Sequence, residues 1–172
     1  MSEVHDLTMD ALTLLREQNE TAEGLMSQVF AEVTPEQATW KLPGSTANAI
    51  APTFLHIYHA EDAVIHRLSG QPTIFETGGW QQKLGFDPNA QWSEIARPDI
   101  ATYRAFAAAV RAATREYLAS VDPNTLEQEV QTPRGPRTLA ARLTMILINH
   151  KITHAGEIAA LLGCQGVKGF PF

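Results

Sequence analysis

The segment from Thr138 to Gly163, TLAARLTMILINHKITHAGEIAALLG, constrains the fold of this chain more than any other. Its apolar residues recur at helical spacing and on two sides: Leu139, Leu143, Ile146, Leu147 and Leu161 on one, Ala141, Met145, Ile148, Ile152 and Ala159 on the other. A helix that is apolar on two faces is buried on two faces. One face requires other helices of the same chain; the second requires the C-terminal tail or another subunit, and a homodimer is the expectation. The first face also carries His150 and His154, one helical turn apart, and Glu157. An unpaired buried polar group costs about 1–3 kcal/mol. A divalent metal is the partner that best suits two neutral imidazoles.

Three further segments read as long helices. The first runs from Asp6 to Ala31, with Leu7, Leu14, Leu15, Leu25, Val29 and Phe30 at helical spacing. Thr34-Pro35-Glu36-Gln37 is a helix start, with Thr34 as N-cap and Gln37 at the third position, but Pro43-Gly44 leaves room for little more than a turn. The second long helix begins at Ser45 or Thr46 and ends at Ser69, stopped by Gly70. The third runs from Pro98-Asp99 to Val121 and is stopped by Asp122-Pro123-Asn124. Between the second and third, residues 71–97 form a long connection with a short helix near Trp92. Residues 129–138 read as a turn or small hairpin, Thr138 caps the fourth helix, and the tail GVKGFPF folds back on the bundle. The expected architecture is all-α: a four-helix bundle forming a single domain over residues 1–172, with one long connection.

Composition narrows the function. At 172 residues the chain can bury a full core. Its net charge of −6, with no cluster of Lys and Arg, argues against a nucleic-acid groove or a polybasic membrane patch. No apolar stretch approaches the ~20 residues that span a bilayer, and the N-terminus carries no basic-then-apolar leader. Cys164 is the single cysteine, which suits a reducing compartment and a cytoplasmic location, and no activating base lies near it in sequence.

A working metal site usually has three protein ligands and an open position. The second helix offers His56, His59 and His66. Its core stripe comprises Ile50, Phe54, Ile57, Glu61, Val64 and Leu68, and His59 and His66 point away from it. His56 lies on the flank among Ala49, Ala60 and Ala63, so it is the first choice for a third ligand and His59 the second. His5 reads as a solvated terminal residue. Glu61, in the middle of the stripe, is as unusual as the histidines. It could ligate the metal, orient a ligand imidazole, act as a general base, or make a buried hydrogen bond to Trp, Tyr or Arg. Glu157 carries the same alternatives.

The stretch TPEQATWKLPGSTANAIAPTFLHIYHAED, with HKITHAGEIAALLG and KGFPF near the C-terminus, resembles the DinB/YfiT-like superfamily of four-helix metalloproteins over almost the full chain. The most specific pieces are His56 followed five residues later by Glu61, and the H-x-x-x-H pair running into Ala155-Gly156-Glu157-Ile158. The resemblance implies metal ligation by His56, His150 and His154, a nickel, zinc, iron or manganese ion, and frequent dimerisation. Characterised relatives include thiol S-transferases and thiol-dependent isomerases that use low-molecular-weight thiols, so the resemblance further implies transfer of such a thiol to an electrophilic small molecule.

Three neutral imidazoles leave a bound ion its full charge, and an open position lowers the pKa of a water or thiol. Thiol transfer requires a site for the thiol, which residues 71–97 and the tail could supply, with Arg97 or Arg137 pairing its carboxylates. The alternative is a metal-dependent hydrolase, with Glu61 or Glu157 as base. A third reading is a non-catalytic metal-binding stress or interaction protein, in which His59 or Glu61 closes the coordination sphere.

Overall fold

The structure, a computed structural model, describes residues 10–85 and 99–170. Four long helical segments pack as a bundle: α1 (Ala11–Phe30), α3 (Ile50–Ser69), α6 (Ile100–Ser120) and a final rod that begins as α7 (Leu139–Leu143) and ends as α8 (His150–Cys164). Short helices fill the connections: α2 (Pro35–Thr39), α4 (Ile74–Thr77) and α5 (Trp80–Leu84). Strands β1 (Glu129–Val130) and β2 (Arg137–Thr138) form the small antiparallel hairpin, with Glu129 opposite Thr138 and Val130 opposite Arg137. His5, Leu7, Trp92 and Arg97 lie outside the described residues.

Local chemistry sets the boundaries. Asp10 caps α1 by accepting from the Thr13 N–H at 2.9 Å. The Thr34–Gln37 capping box starts α2, and Gly70, at φ 72°, closes α3 in the left-handed region where glycine costs least. Helix α3 starts later than Ser45 or Thr46. The Ser45 hydroxyl accepts from the Ala47 N–H in a local turn, and Ala49 is the N-cap. Pro52 thereby falls within the first turn, where a missing N–H is harmless. In the long connection, the Asp62 carboxylate takes the N–H groups of Ile74 (3.0 Å) and Phe75 (2.8 Å), docking α4 onto α3.

The last rod packs against both α1 and α3, and α3 against α6. Arginines bridge the remaining seam: Arg16 donates to the Leu118 carbonyl, Arg104 to those of Phe30 and Ala31, and Arg115 pairs with Glu20. Of the second apolar side of the last rod, the tail covers part. Gly169 lies so close to Ala159 that a Cβ there would collide with its carbonyl. Met145 and Ile152 stay exposed, as does Leu14, one of the leucines at helical spacing on α1. No described helix is long and apolar enough to cross a membrane.

The core has two parts. One is rich in aromatics, with Phe30, Phe54, Tyr58, Phe75, Tyr103 and Phe106 among its members. The other is mostly aliphatic, from Leu12 and Leu15 through Ile65 and Leu118 to Leu143 and Leu147. Every long helix passes from one part to the other, and at the crossing each contributes polar residues: Asn19 and Glu23 from α1, Glu61 from α3, Thr114 from α6 and Lys151 from α8, all buried.

Candidate metal centre

Between α7 and α8, residues Thr144–Asn149 form a π-helical turn. This turn decides what the last rod presents. In an unbroken α-helix the core stripe of Leu139, Leu143 and Leu147 would run on through His150 and His154. A π turn inserts the equivalent of one residue and rotates everything after it by about 100°. The buried stripe therefore continues through Lys151, Ala155, Ile158 and Leu162. His150 and His154 move from the middle of the apolar face to its edge and are half-buried.

At that edge they meet His56 of α3. The three imidazoles can each offer a ligand nitrogen, and these atoms lie within 4.8 Å of one another. The Nε2 atoms of His56 and His150 are 3.1 Å apart. Two nitrogens that share one ion at bonds of about 2.0–2.1 Å stand roughly 2.9–3.4 Å apart across octahedral and tetrahedral angles. The ring centroids are separated by 4.9 Å (His56–His150), 5.4 Å (His56–His154) and 4.6 Å (His150–His154), each pair meeting nearly edge to face. The Nδ1 of His154 is 2.7 Å from Glu157 Oε2. A carboxylate accepts there, so Nδ1 carries a proton, and Nε2 is the nitrogen that a metal would take. Burial, reinforced by the neighbouring imidazoles, lowers the pKa of His56 and pushes that of His150 down to about 4. Both rings are thus neutral at physiological pH, the state a metal requires. The group could hold a metal ion, and its donor set is complete without a carboxylate or thiolate.

A family model for the DinB superfamily matches residues 18–158. The chain belongs to the DinB superfamily. A crystal structure described as the conserved protein of a locus from Enterococcus faecalis has the same fold, with a TM-score of 0.76 at 17% identity over 90% of this chain and 96% of that one. No curated protein matches the chain.

The other residues singled out in the sequence lie elsewhere in this DinB-superfamily chain. His59 packs edge-on against Phe75, with centroids 4.8 Å apart, and is not part of the cluster. His66 pairs with Asp62 at 3.2 Å. Glu61 is fully buried: it accepts from the Thr114 hydroxyl at 2.6 Å and pairs with Lys151 Nζ at 2.8 Å. Burial pushes its carboxyl pKa up, and Lys151 pulls against that shift. Arg137 is exposed on the hairpin and donates to the adjacent Pro136 carbonyl. Cys164 is exposed at the end of α8.

Sequence reasoning passed over Lys151. Its ammonium is 0% exposed and is held by Asn19 Oδ1 at 3.0 Å, by Glu61 and by Glu23. Glu23 also accepts from the Tyr58 hydroxyl at 2.9 Å and pairs with Arg111 at 3.1 Å. Glu23 and Glu61 are thereby matched by Lys151 and Arg111, two charges against two. The available signal was indirect: Glu61, in the middle of an apolar stripe, demanded a cation.

Proposed function

We propose that this protein is a metal-dependent enzyme that transfers a low-molecular-weight thiol to an electrophilic small molecule. The observation that carries this reading is the convergence of three imidazoles, His56, His150 and His154, with ligand atoms within 4.8 Å of one another. A set of three neutral ligands leaves coordination positions for an exogenous molecule. A divalent ion held there supplies Lewis acidity that favours the thiolate over the thiol. Glu157 fixes the tautomer and orientation of His154 through the 2.7 Å bond to Nδ1. In the transfer, the thiol sulfur forms a bond to carbon and its proton passes to solvent. The displaced halide, or the opened epoxide oxygen, takes the electron pair.

Hydrolysis requires a carboxylate poised to take a proton from water. Glu61 is enclosed with Lys151 and Thr114, and Glu157 is bonded to His154. This occupancy favours thiol transfer over hydrolysis. A cavity of about 510 Å³ lies beside His59, one helical turn along α3 from His56, and is lined with Thr73, Phe75, Glu76 and Gln82. Its size suits a small ligand, and its walls come from the connection in which the thiol site was expected. We also infer a homodimer, supported by the exposure of Leu14, Met145 and Ile152 beside an apolar groove between α1 and the last rod.

The test is to load purified protein with Ni²⁺, Zn²⁺, Fe²⁺ or Mn²⁺, then supply cysteine or glutathione with an alkyl halide or an epoxide. Metal-dependent thioether formation, lost in a His150→Ala, His154→Ala variant, is the expected result. Cleavage of an activated ester with no thioether would shift the reading to hydrolysis. Failure to bind any of the four ions would overturn the metalloenzyme reading.

A further inference from the structure

The rotational phase of the last rod is weakly specified by its apolar residues. Ala155, Ile158, Leu161 and Leu162 face the core, and Ile158 and Leu161 would stay on the inner side in the unbroken phase as well. The π turn selects one phase at the cost of regular helical hydrogen bonding. The histidine cluster depends on that choice. A helix with its side chains has a radius of about 5–6 Å, so a 100° rotation would carry a side chain roughly 9 Å around the axis. Metal coordination tolerates only a few tenths of an ångström.

One residue in α8 distinguishes the two phases by chemistry. Lys151 directly follows His150, and its ammonium reaches Asn19 and Glu23 on α1 and Glu61 on α3. Thr114 on α6 fixes Glu61, and Arg111 on α6 and Tyr58 on α3 fix Glu23. All four long helices are therefore tied to one side chain adjacent to a cluster residue. Rotating α8 to the unbroken phase would withdraw Lys151, leaving Glu61 buried without a cation and Glu23 with Arg111 alone. Buried polar groups of this kind are best attested as devices that fix register.

We propose that Lys151 is a positioning residue for the metal centre: anchored by Asn19, Glu23 and Glu61, it locks the phase at which His150 and His154 face His56. The proposal rests on the reading of these histidines as metal ligands, and cobalt binding separates the two. Lys151→Met alone leaves Glu61 buried without a cation and Glu23 with Arg111 alone, and can unfold the protein. The informative variant is therefore the neutral triple substitution Glu23→Gln, Glu61→Gln, Lys151→Met. Circular dichroism and urea unfolding report its fold, and Co²⁺ titration reports its affinity and visible absorption.

The expected result is a folded triple variant that binds Co²⁺ at least 10-fold more weakly than wild type, with altered band positions and intensities. A folded variant with wild-type affinity and spectrum would overturn the positioning role while leaving the metal reading intact. A triple variant that does not fold would also overturn it, assigning the buried layer to stability alone. A wild-type protein that takes up no Co²⁺ would overturn the metal reading and this proposal with it.

Discussion

His150 and Lys151 are neighbours in sequence and enter polar clusters of opposite character. Lys151 joins a layer at the waist of the bundle in which two buried carboxylates are neutralised by the buried Lys151 and by Arg111 at the margin. His150 joins His56 and His154 in a group of three half-buried imidazoles whose ring nitrogens converge. The waist supplies its own counter-charges, so it is complete as a structural element. The histidine cluster groups three imidazoles that could hold a metal ion. A closed network is best attested as a device that fixes register, and an open one is where a ligand enters.

The largest effect should come from unbalancing the waist. Lys151→Met removes one cation and leaves Glu23 and Glu61 buried with only Arg111 nearby, and 30% of the Arg111 side chain is exposed. Breaking a buried ion pair by removing one partner typically costs about 3–5 kcal/mol. Urea unfolding should show a loss of that size, and a loss below about 1 kcal/mol would contradict the buried contacts described for Lys151.

The histidine cluster should respond in the opposite way. His150→Ala with His154→Ala should change the stability of the metal-free protein little, because both side chains sit at the edge of the core. Bound metal should fall from about one equivalent to near zero. Chelation gives a second readout. An ion present at about 100 times its Kd stabilises the folded state by roughly 2.7 kcal/mol. A strong chelator should therefore lower the melting temperature of metal-loaded wild type and leave the double variant unmoved. Equal shifts in the two would place the ion elsewhere.

The contrast between the two clusters also explains what could be read from the sequence. The bundle was legible because its stripes are regular: Ile50, Phe54, Ile57, Glu61 and Val64 are all buried as their spacing requires. Thr34, Gly70 and Thr138 mark helix boundaries by their ordinary cap chemistry. The convergence of His56, His150 and His154 was legible from a four-residue spacing and a flank position on a second helix. The waist was not. Its partners lie on four helices, and the π turn falls in TMILIN, where neither glycine nor proline announces a break. A wheel drawn with an unbroken phase sets Lys151 beside the core stripe, and a lysine is read as solvated by default. On α1 the leucine spacing includes Leu14 and Leu25, whereas the inner stripe runs through Leu15, Asn19, Glu23 and Met26, with two polar residues in its middle.

Glu157→Gln probes the histidine cluster more gently. The amide can still meet His154 Nδ1, but it no longer contributes a negative charge behind the ring. Partners of this kind are worth about 10–100-fold in metal affinity. Calorimetric titration should show a loss in that range with unchanged metal-free stability. An unchanged affinity would mean that Glu157 is a surface pairing with no effect on the site.

Tyr58→Phe should have the smallest effect and tests whether the two clusters are separable. It deletes one hydroxyl, which donates to Glu23 at 2.9 Å, and preserves the ring that packs against Phe54. A hydrogen bond to a charged acceptor contributes about 1.5–3 kcal/mol. Glu23 keeps Lys151 and Arg111 as partners, so the loss should fall near the lower end of that range. Lys151 stays anchored through Asn19 and Glu61, which holds the phase of α8. Metal affinity should therefore remain within a factor of two of wild type, by the phase argument that ties the histidines to Lys151 and not to Glu23 itself. A parallel fall in stability and affinity would show that the histidine geometry follows the strength of the whole layer, and the distinction between a closed waist and an open site would have to be redrawn as one cooperative network.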